Sequence, residues 1–367
     1  SNKIDNYRRE LIPIENKNIK ISKLKILHIT NLNEKHNGRL FYNTGRRINN
    51  GLIKLNHKVL TLSDRDLLSN YKTLRDVTGS KKLNATFIET VRNFKPNLIL
   101  LGHADSIKSE SLEEIKKNYP SIKISQWFLD RMDTKWKKNK LRFLDKIRFM
   151  DYSFCTTDPK TLKFDKKYKV SFIPNPVDES LDDMKVYENK YAEYDLFFAM
   201  SHGVHRGVLK KGKFDERENL INYLIKKNPK LKFNIFGMNN IQPVWGDEFK
   251  RNLFNSKVAL NLSQGKPLKY YSSDRIAQLM GNGLLTFIDS KTSYSDFFSK
   301  KEIVTYDDLN DLNYLLQKYK KDEKQRKLIA RNGKLKYMKH FNSNIVCSYM
   351  IEKTFDIKNS KDYLWAK

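Results

Sequence analysis

The stretch "KYYSSDRIAQLMGNGLLTFID", Lys269 to Asp289, decides how the chain is read. Two tyrosines, two serines and an Asp-Arg pair stand before a short apolar helix, Ile276 to Met280. The turn Gly281-Asn282-Gly283 then stops the helix and releases the chain into a strand, Leu284 to Ile288. Helix, glycine turn and buried strand form the repeating unit of a parallel α/β sheet. Ser-Ser-Asp is expected to cap the helix at the carboxyl side of that sheet, with hydroxyls and N–H groups turned toward a cleft.

The same alternation runs through the chain twice. The first half offers "LKILHIT" (Leu24–Thr30), "HKVLTLS" (His57–Ser63), "PNLILLG" (Pro96–Gly102), "IKISQWF" (Ile122–Phe128), "YSFCTT" (Tyr152–Thr157) and "KVSFIP" (Lys169–Pro174). The second restarts with "YDLFFAM" (Tyr194–Met200), followed by "LKFNIFG" (Leu231–Gly237), "KVALNLS" (Lys257–Ser263) and "LLTFID" (Leu284–Asp289). Apolar runs bounded by Pro, Gly and Asp are what strands covered on both faces look like. Helices are expected between them, for example Arg217–Lys227 and Asp322–Lys339. A chain of 367 residues exceeds the ~250–300 at which one core usually splits. The connector "IPNPVDESLDD", with prolines on both sides of Asn175, is stiff and marks the boundary. The expected division is residues 1–175, residues 176–345, and a tail, 346–367, that packs back on the first domain.

Hydrophobic residues at 39% and aromatics at 12% suffice for two cores. The two cysteines, Cys155 and Cys347, lie far apart without ligand spacing, so neither a disulfide framework nor a zinc site is expected, and the compartment reads as reducing. No apolar run approaches the ~18–20 residues that span a bilayer, and "SNKIDNYRRE" lacks the apolar centre of a signal peptide. The expectation is a cytoplasmic protein that can reach the inner face of the membrane. A net charge of +29 attracts nucleic acid, anionic lipid or acidic substrates. The lysines are scattered among asparagines and isoleucines, as biased composition alone produces, and no basic segment interleaves aromatics. Nucleic acid is therefore not expected as a partner; peripheral contact with an anionic membrane is.

Open α/β sheets bind ligands at the carboxyl ends of their strands, so site residues are sought there. After the first strand, Gly38 and Gly45 can let backbone approach a ligand or can simply serve a turn; their spacing is not the G-x-G-x-x-G of a dinucleotide site. "LGHADS" and "QWFLDRMD" place His103, Asp105, Asp130 and Asp133 at strand ends. His103 and Asp130 are the candidate catalytic acid and base, although each of the four can equally form a turn or cap a helix. The loop "SHGVHRGVLKKGKFDERENL" combines glycines, Arg206, Lys211 and Arg217 at the entrance to a helix, an array suited to phosphate oxygens; a solvated basic loop is the alternative.

The segment "SDRIAQLMGNGLLTFIDSKTSYSDFFSKKEIVTYDDLNDL", followed by "DEKQRKLIARNGKLKYMKHF", resembles GT-B glycosyltransferases, in particular the group-1, CgeB-like branch. "FIPNPVD" and "ISQWFLDRMD" are similar to further elements of these enzymes. The resemblance implies two Rossmann-like doubly wound domains facing a central cleft. It further implies a nucleotide-sugar donor, UDP- or GDP-linked, against the second domain, and an acceptor, a cell-envelope glycan or glycolipid, mainly against the first. Donor contacts are expected from Arg206, Lys211, Arg217, Tyr270, Ser272, Ser273, Asp274, Arg275 and Gln278. No metal and no other cofactor is expected. Many retaining relatives carry two glutamates where this chain has Tyr270 and Gln278, neither of which supplies a carboxylate. A non-catalytic relative that binds nucleotide or carbohydrate, and a sugar-nucleotide epimerase on the same fold, are the alternatives.

Overall fold

Each apolar run of the sequence becomes a strand. The computed structural model describes residues 23–201, 204–205, 208–209, 214–358 and 362–366. The first half runs β1 (Lys25–Thr30), α1 (Thr44–Lys54), β2 (Lys58–Leu62), α2 (Asp64–Asn70), α3 (Ser80–Phe94), β3 (Leu98–Gly102), α4 (Ser109–Asn118), β4 (Lys123–Phe128), α5 (Lys137–Asp145), β5 (Tyr152–Cys155), α6 (Pro159–Leu162) and β6 (Val170–Phe172). These strands form one parallel sheet in the order β2-β1-β3-β4-β5-β6. The middle strand β3 is buried along its whole length, as a strand covered on both faces must be. Gly102 ends it for a steric reason: a Cβ there would lie 2.0 Å from Cζ2 of Trp127 on the neighbouring strand.

The second half runs β7 (Tyr194–Ala199), β8 (Val204–His205), β9 (Val208–Leu209), α7 (Glu216–Lys227), β10 (Phe233–Phe236), α8 (Gly246–Phe254), β11 (Ser256–Asn261), α9 (Arg275–Gly281), β12 (Leu285–Asp289), β13 (Val304–Tyr306), α10 (Leu309–Lys321), α11 (Glu323–His340) and α12 (Ser343–Thr354). Its parallel sheet has the order β10-β7-β11-β12-β13, while β8 and β9 pair antiparallel within the basic loop. The sequence reading did not anticipate β8, β9 and β13; β8 and β9, of two residues each, are too short to show a period. Gly283, at φ 77°, turns the chain from α9 into β12, as the Gly-Asn-Gly signal indicated. The expected Ser-Ser-Asp cap is not made: Asp274 has helical dihedrals and no side-chain capping bond.

The chain passes between the halves twice, and the two crossings are paired. Val177 N–H donates to Phe341 O (3.0 Å), and Ser343 N–H donates to Val177 O (2.7 Å). Beyond this bridge α12 lies on α1 of the first half, where Gly51 approaches so closely that a Cβ would stand 2.5 Å from Ser343 O. Behind the cleft, one apolar cluster joins both halves, running from Ile26 and Leu98 through Phe297, Phe298, Tyr337 and Phe341 to Trp365.

Candidate functional site

In the first sheet β2 and β3 flank β1, and in the second β10 and β11 flank β7. Each arrangement leaves a crevice at the carboxyl ends of the strands where the order reverses, the usual ligand position in open α/β sheets. Here the two crevices face one another. Three adjoining cavities of about 310, 310 and 330 Å³ occupy the space, and Asp274 alone among the described residues lines all three.

The most polar cavity holds Arg217 and Arg275 of the second half, with Ser201, Ser263 and Ser273, opposite Asp130, Arg131 and Asn139 of the first. Arg275 Nη1 donates to Leu262 O (3.1 Å), and its guanidinium lies 5.4 Å from the Phe198 ring centre. Among the described residues no carboxylate reaches ion-pair distance of it. Burial, and then the neighbouring charge of Arg217, pull its pKa down to about 10. Arg217 is held by Asp215, with Nε to Oδ1 at 2.8 Å and Nη2 to Oδ2 at 3.0 Å. Asp215 also caps α7 in a reciprocal capping box with Glu218. The expectation of an open helix N-terminus for phosphate is therefore corrected: the chain's own carboxylates already occupy that end.

Asp274 is the carboxylate of the cleft floor. It has no side-chain partner among the described residues. Burial raises its pKa against the opposing pull of Arg47 and Arg275. Ser273 Oγ, beside it, is buried without a hydrogen-bond partner among the described residues. Tyr271 lines the same cavity as Asp130 and Arg131, with the Arg131 guanidinium 5.6 Å from its ring centre, and burial raises its hydroxyl to about 12.

The first half contributes His103 and Asp130 at the ends of β3 and β4. Leu129 N–H donates to His103 Nε2 (2.8 Å), and burial lowers the ring's pKa despite Asp130 and Asp105. Neutral His103 thus carries its proton on Nδ1, which stands 3.7 Å from Asp130 Oδ2. To act as a base it would have to give up the Leu129 bond, so it serves the cleft as a donor, a correction to the acid/base expectation. Asp130 remains open to the cavity while accepting from Arg142 Nη1 (3.1 Å). Asp105 is taken up by Arg142 and Arg65, and Asp133 by a bidentate pair with Arg131 at 2.9 and 2.7 Å.

The third cavity has an apolar wall of Pro243, Val244, Trp245 and Phe249, faced by Arg39, Leu40 and Tyr42. Gln278 lies here, its side-chain amide without a hydrogen-bond partner among the described residues. Tyr42 hydroxyl donates to Asp247, and Arg131 Nη1 donates to Gln264 O (2.7 Å), so the halves touch across the mouth of the cleft.

Several expected contacts fall elsewhere. Tyr270 turns away from the cleft: its hydroxyl donates to Asp296 (2.8 Å) and its ring packs on Phe297 and Phe172. Ser272 is buried, accepting from Asn261 Nδ2 (2.8 Å) and donating to Ser273 O (2.9 Å). Gly38 lines none of the three cavities; its glycine suits a left-handed turn at φ 79°, with nothing near the position of a Cβ. Gly45 does face the cleft, where a Cβ would meet Thr30 Oγ1 at 2.7 Å. Arg206 and Lys211 lie outside the described residues. Sequence reasoning missed Trp245 and Tyr271. Trp245 carried a usable signal, a tryptophan in the polar loop after a strand; nothing in the sequence distinguished Tyr271 from Tyr270.

Comparison with known proteins bears on the same region. The glycosyl transferase-like family model matches residues 216–351. No curated protein matches the chain in sequence. Among solved structures, sucrose-phosphate synthase from Thermosynechococcus elongatus superposes with a TM-score of 0.60 at 10% identity, over 90% of this chain and 98% of that one. Anabaena HepE in complex with UDP and glucose gives 0.57 at 10% identity, over 91% and 100%. A putative UDP-N-acetylglucosamine 2-epimerase from Listeria monocytogenes gives 0.50 at 10% identity, over 93% and 99%. At such identities the likeness is one of fold. The family match covers residues 216–351, and the described residues have the GT-B arrangement of two Rossmann-like domains facing a cleft.

Proposed function

We propose that the protein transfers a sugar from a UDP- or GDP-sugar to an acceptor, a cell-envelope glycan or glycolipid, without a metal ion, as a member of the CgeB-like branch. The observation that supports this most directly is the pair of guanidiniums, Arg217 and Arg275, on one wall of a polar cavity that has Asp130 and His103 on or beside its other wall. Arg275 has no carboxylate at ion-pair distance among the described residues, and Arg217, although held by Asp215, adds a second positive charge beside it, so the site favours an anion. A diphosphate supplies it. That Anabaena HepE is described with UDP and glucose agrees with such a ligand on this fold.

In this reading the diphosphate lies against Arg217, Arg275 and Ser273, and the nucleoside runs along the Trp245 wall with Gln278 at the ribose. Asp274 accepts from hydroxyls of the donor sugar, and His103 Nδ1–H donates to another. The bond from the anomeric carbon to the diphosphate breaks, the bond to the acceptor oxygen forms, and Asp130 is placed to accept the acceptor's proton. The arginines stabilise the charge gathering on the leaving diphosphate. No group of three or more His, Cys, Asp or Glu side chains converges as a metal site among the described residues.

A panel of nucleotide sugars tests the reading by thermal stabilisation and turnover. A matching donor at a hundred times its Kd should stabilise the fold by about 2.7 kcal/mol. Transfer should survive EDTA; loss that added metal restores would overturn the metal-free mechanism. Conversion of the sugar to its epimer with the nucleotide still attached would favour the epimerase. Absence of both stabilisation and turnover across the panel would overturn the proposal.

A further inference from the structure

The loop between α2 and α3 presents two apolar side chains to solvent, Leu74 at 101% and Val77 at 73% relative exposure. Single exposed hydrophobes are ordinary. This pair is unusual in its surroundings: Lys72, Arg75, Lys81 and Lys82 are all exposed around it, and none is in an ion pair among the described residues. The one acid within the loop, Asp76, offsets only one of these four charges and is turned to the loop's own backbone. Its carboxylate accepts from Thr78 Oγ1 (3.0 Å) and from the N–H groups of Gly79 (2.9 Å), Lys81 (2.9 Å) and Lys82 (3.3 Å). Those bonds fix the loop's shape, so the apolar pair is presented by an ordered turn.

The position is also informative. The loop leads into α3, whose Asn84 bonds Ser106 O (3.1 Å) and Lys108 N–H (2.9 Å) in the segment that follows β3 and His103. The patch therefore lies at the carboxyl-end rim of the first sheet, on the side of the cleft. We propose that the loop of residues 72–82 docks on an anionic lipid bilayer, with Leu74 and Val77 entering the headgroup and acyl boundary and the four cations meeting lipid phosphates. Apolar insertion ringed by lysine and arginine is the chemistry of peripheral attachment to acidic membranes. The inference stands apart from the donor reading, because it concerns a surface outside the cleft.

Full-length protein is tested by sedimentation with vesicles of phosphatidylcholine alone and of equal parts phosphatidylcholine and phosphatidylglycerol. Binding is expected to the mixed vesicles only, and to weaken with salt. Lys81→Ala/Lys82→Ala should weaken it about 25-fold, roughly fivefold for each cation. Leu74→Glu should weaken it at least about tenfold, whereas Leu335→Glu, exposed on α11 of the other domain, should leave it unchanged. Both cysteines are buried, so a polarity-sensitive dye on Leu74→Cys reports insertion directly by a blue shift on mixed vesicles. Thermal melting confirms that each variant is folded. Equal binding to both vesicle types, no effect of Leu74→Glu, or equally tight binding to polyuridylate with no dye shift on vesicles would each overturn the proposal.

Discussion

Behind the cleft, Arg47 is enclosed with Asp182, Nε to Oδ2 at 2.8 Å and Nη2 to Oδ1 at 2.7 Å, with a third bond to Tyr42 O. On the cleft floor, Arg275 has one carbonyl and the face of Phe198. Burial works against both charges. At Arg47 the carboxylate more than offsets it and the pKa is raised; at Arg275 nothing does and the pKa falls. One arginine is completed by the fold, and the other is left to be completed by something else. Charge alone does not distinguish a binding arginine from a structural one. What distinguishes them is whether the protein supplies the partner.

The comparison breaks first at Arg47. Arg47→Met leaves a buried, unpaired carboxylate on Asp182 and should cost roughly 3–5 kcal/mol in denaturant unfolding, most of it regained in Arg47→Met/Asp182→Leu. A cost below about 1 kcal/mol would remove the contrast.

A third buried base, His28, has a neutral partner and no carboxylate partner among the described residues. It is fully enclosed, Nδ1 meets Asn49 Oδ1 at 3.2 Å, Nε2 has no partner among the described residues, and burial lowers its pKa from 6.5 to about 4. The native ring is neutral near pH 7, while the unfolded chain takes up a proton near 6.5. Stability is then complete above that value and falls as the pH drops toward 4, by about 3 kcal/mol in all. His28→Leu should flatten this part of the profile; an unchanged slope would assign the acid loss to other groups.

At Arg275 the expected effect moves from stability to activity. Arg275→Ala should lower kcat/KM about 30–150-fold, equivalent to roughly 2–3 kcal/mol, while unfolding shifts by less than about 1 kcal/mol. The reverse pattern, an intact rate and a collapsed fold, would make it a second Arg47. The smallest effect belongs to Gln278→Ala. The donor KM should rise on the order of two- to tenfold with kcat held, and a fall in kcat at constant KM would contradict the ribose assignment.

Much of the fold was legible because buried parallel strands leave continuous apolar runs, and ten such runs became ten strands. The candidate site was legible in part. His103, Asp130 and Arg217 could be placed because they follow strand ends, and Asp274, Arg275 and Gln278 because they open a helix. Tyr270 and Ser272 could not be separated from their neighbours Tyr271 and Ser273. In an irregular loop no period fixes which side chain turns outward, and here the left-handed conformation of Tyr270, at φ 61°, decides it. The partners of the arginines were invisible for another reason. Asp182 is 135 residues from Arg47 in the chain, and only folding brings them together. The same holds for Lys334 on α11, which donates to Asp182 O, Met184 O and Gly281 O at 2.9, 2.9 and 2.5 Å.

The paired crossings at Val177 and Ser343 give the molecule a modular layout. Since the chain enters and leaves the second sheet at neighbouring points and then returns α12 to the first, residues 178–341 form an insert whose two ends already adjoin. An exchange of the second sheet between relatives would be cut at that bridge. The first sheet would then keep α12 as its own, because a cut placed before α12 alone would strip α1 of the helix that covers Gly51.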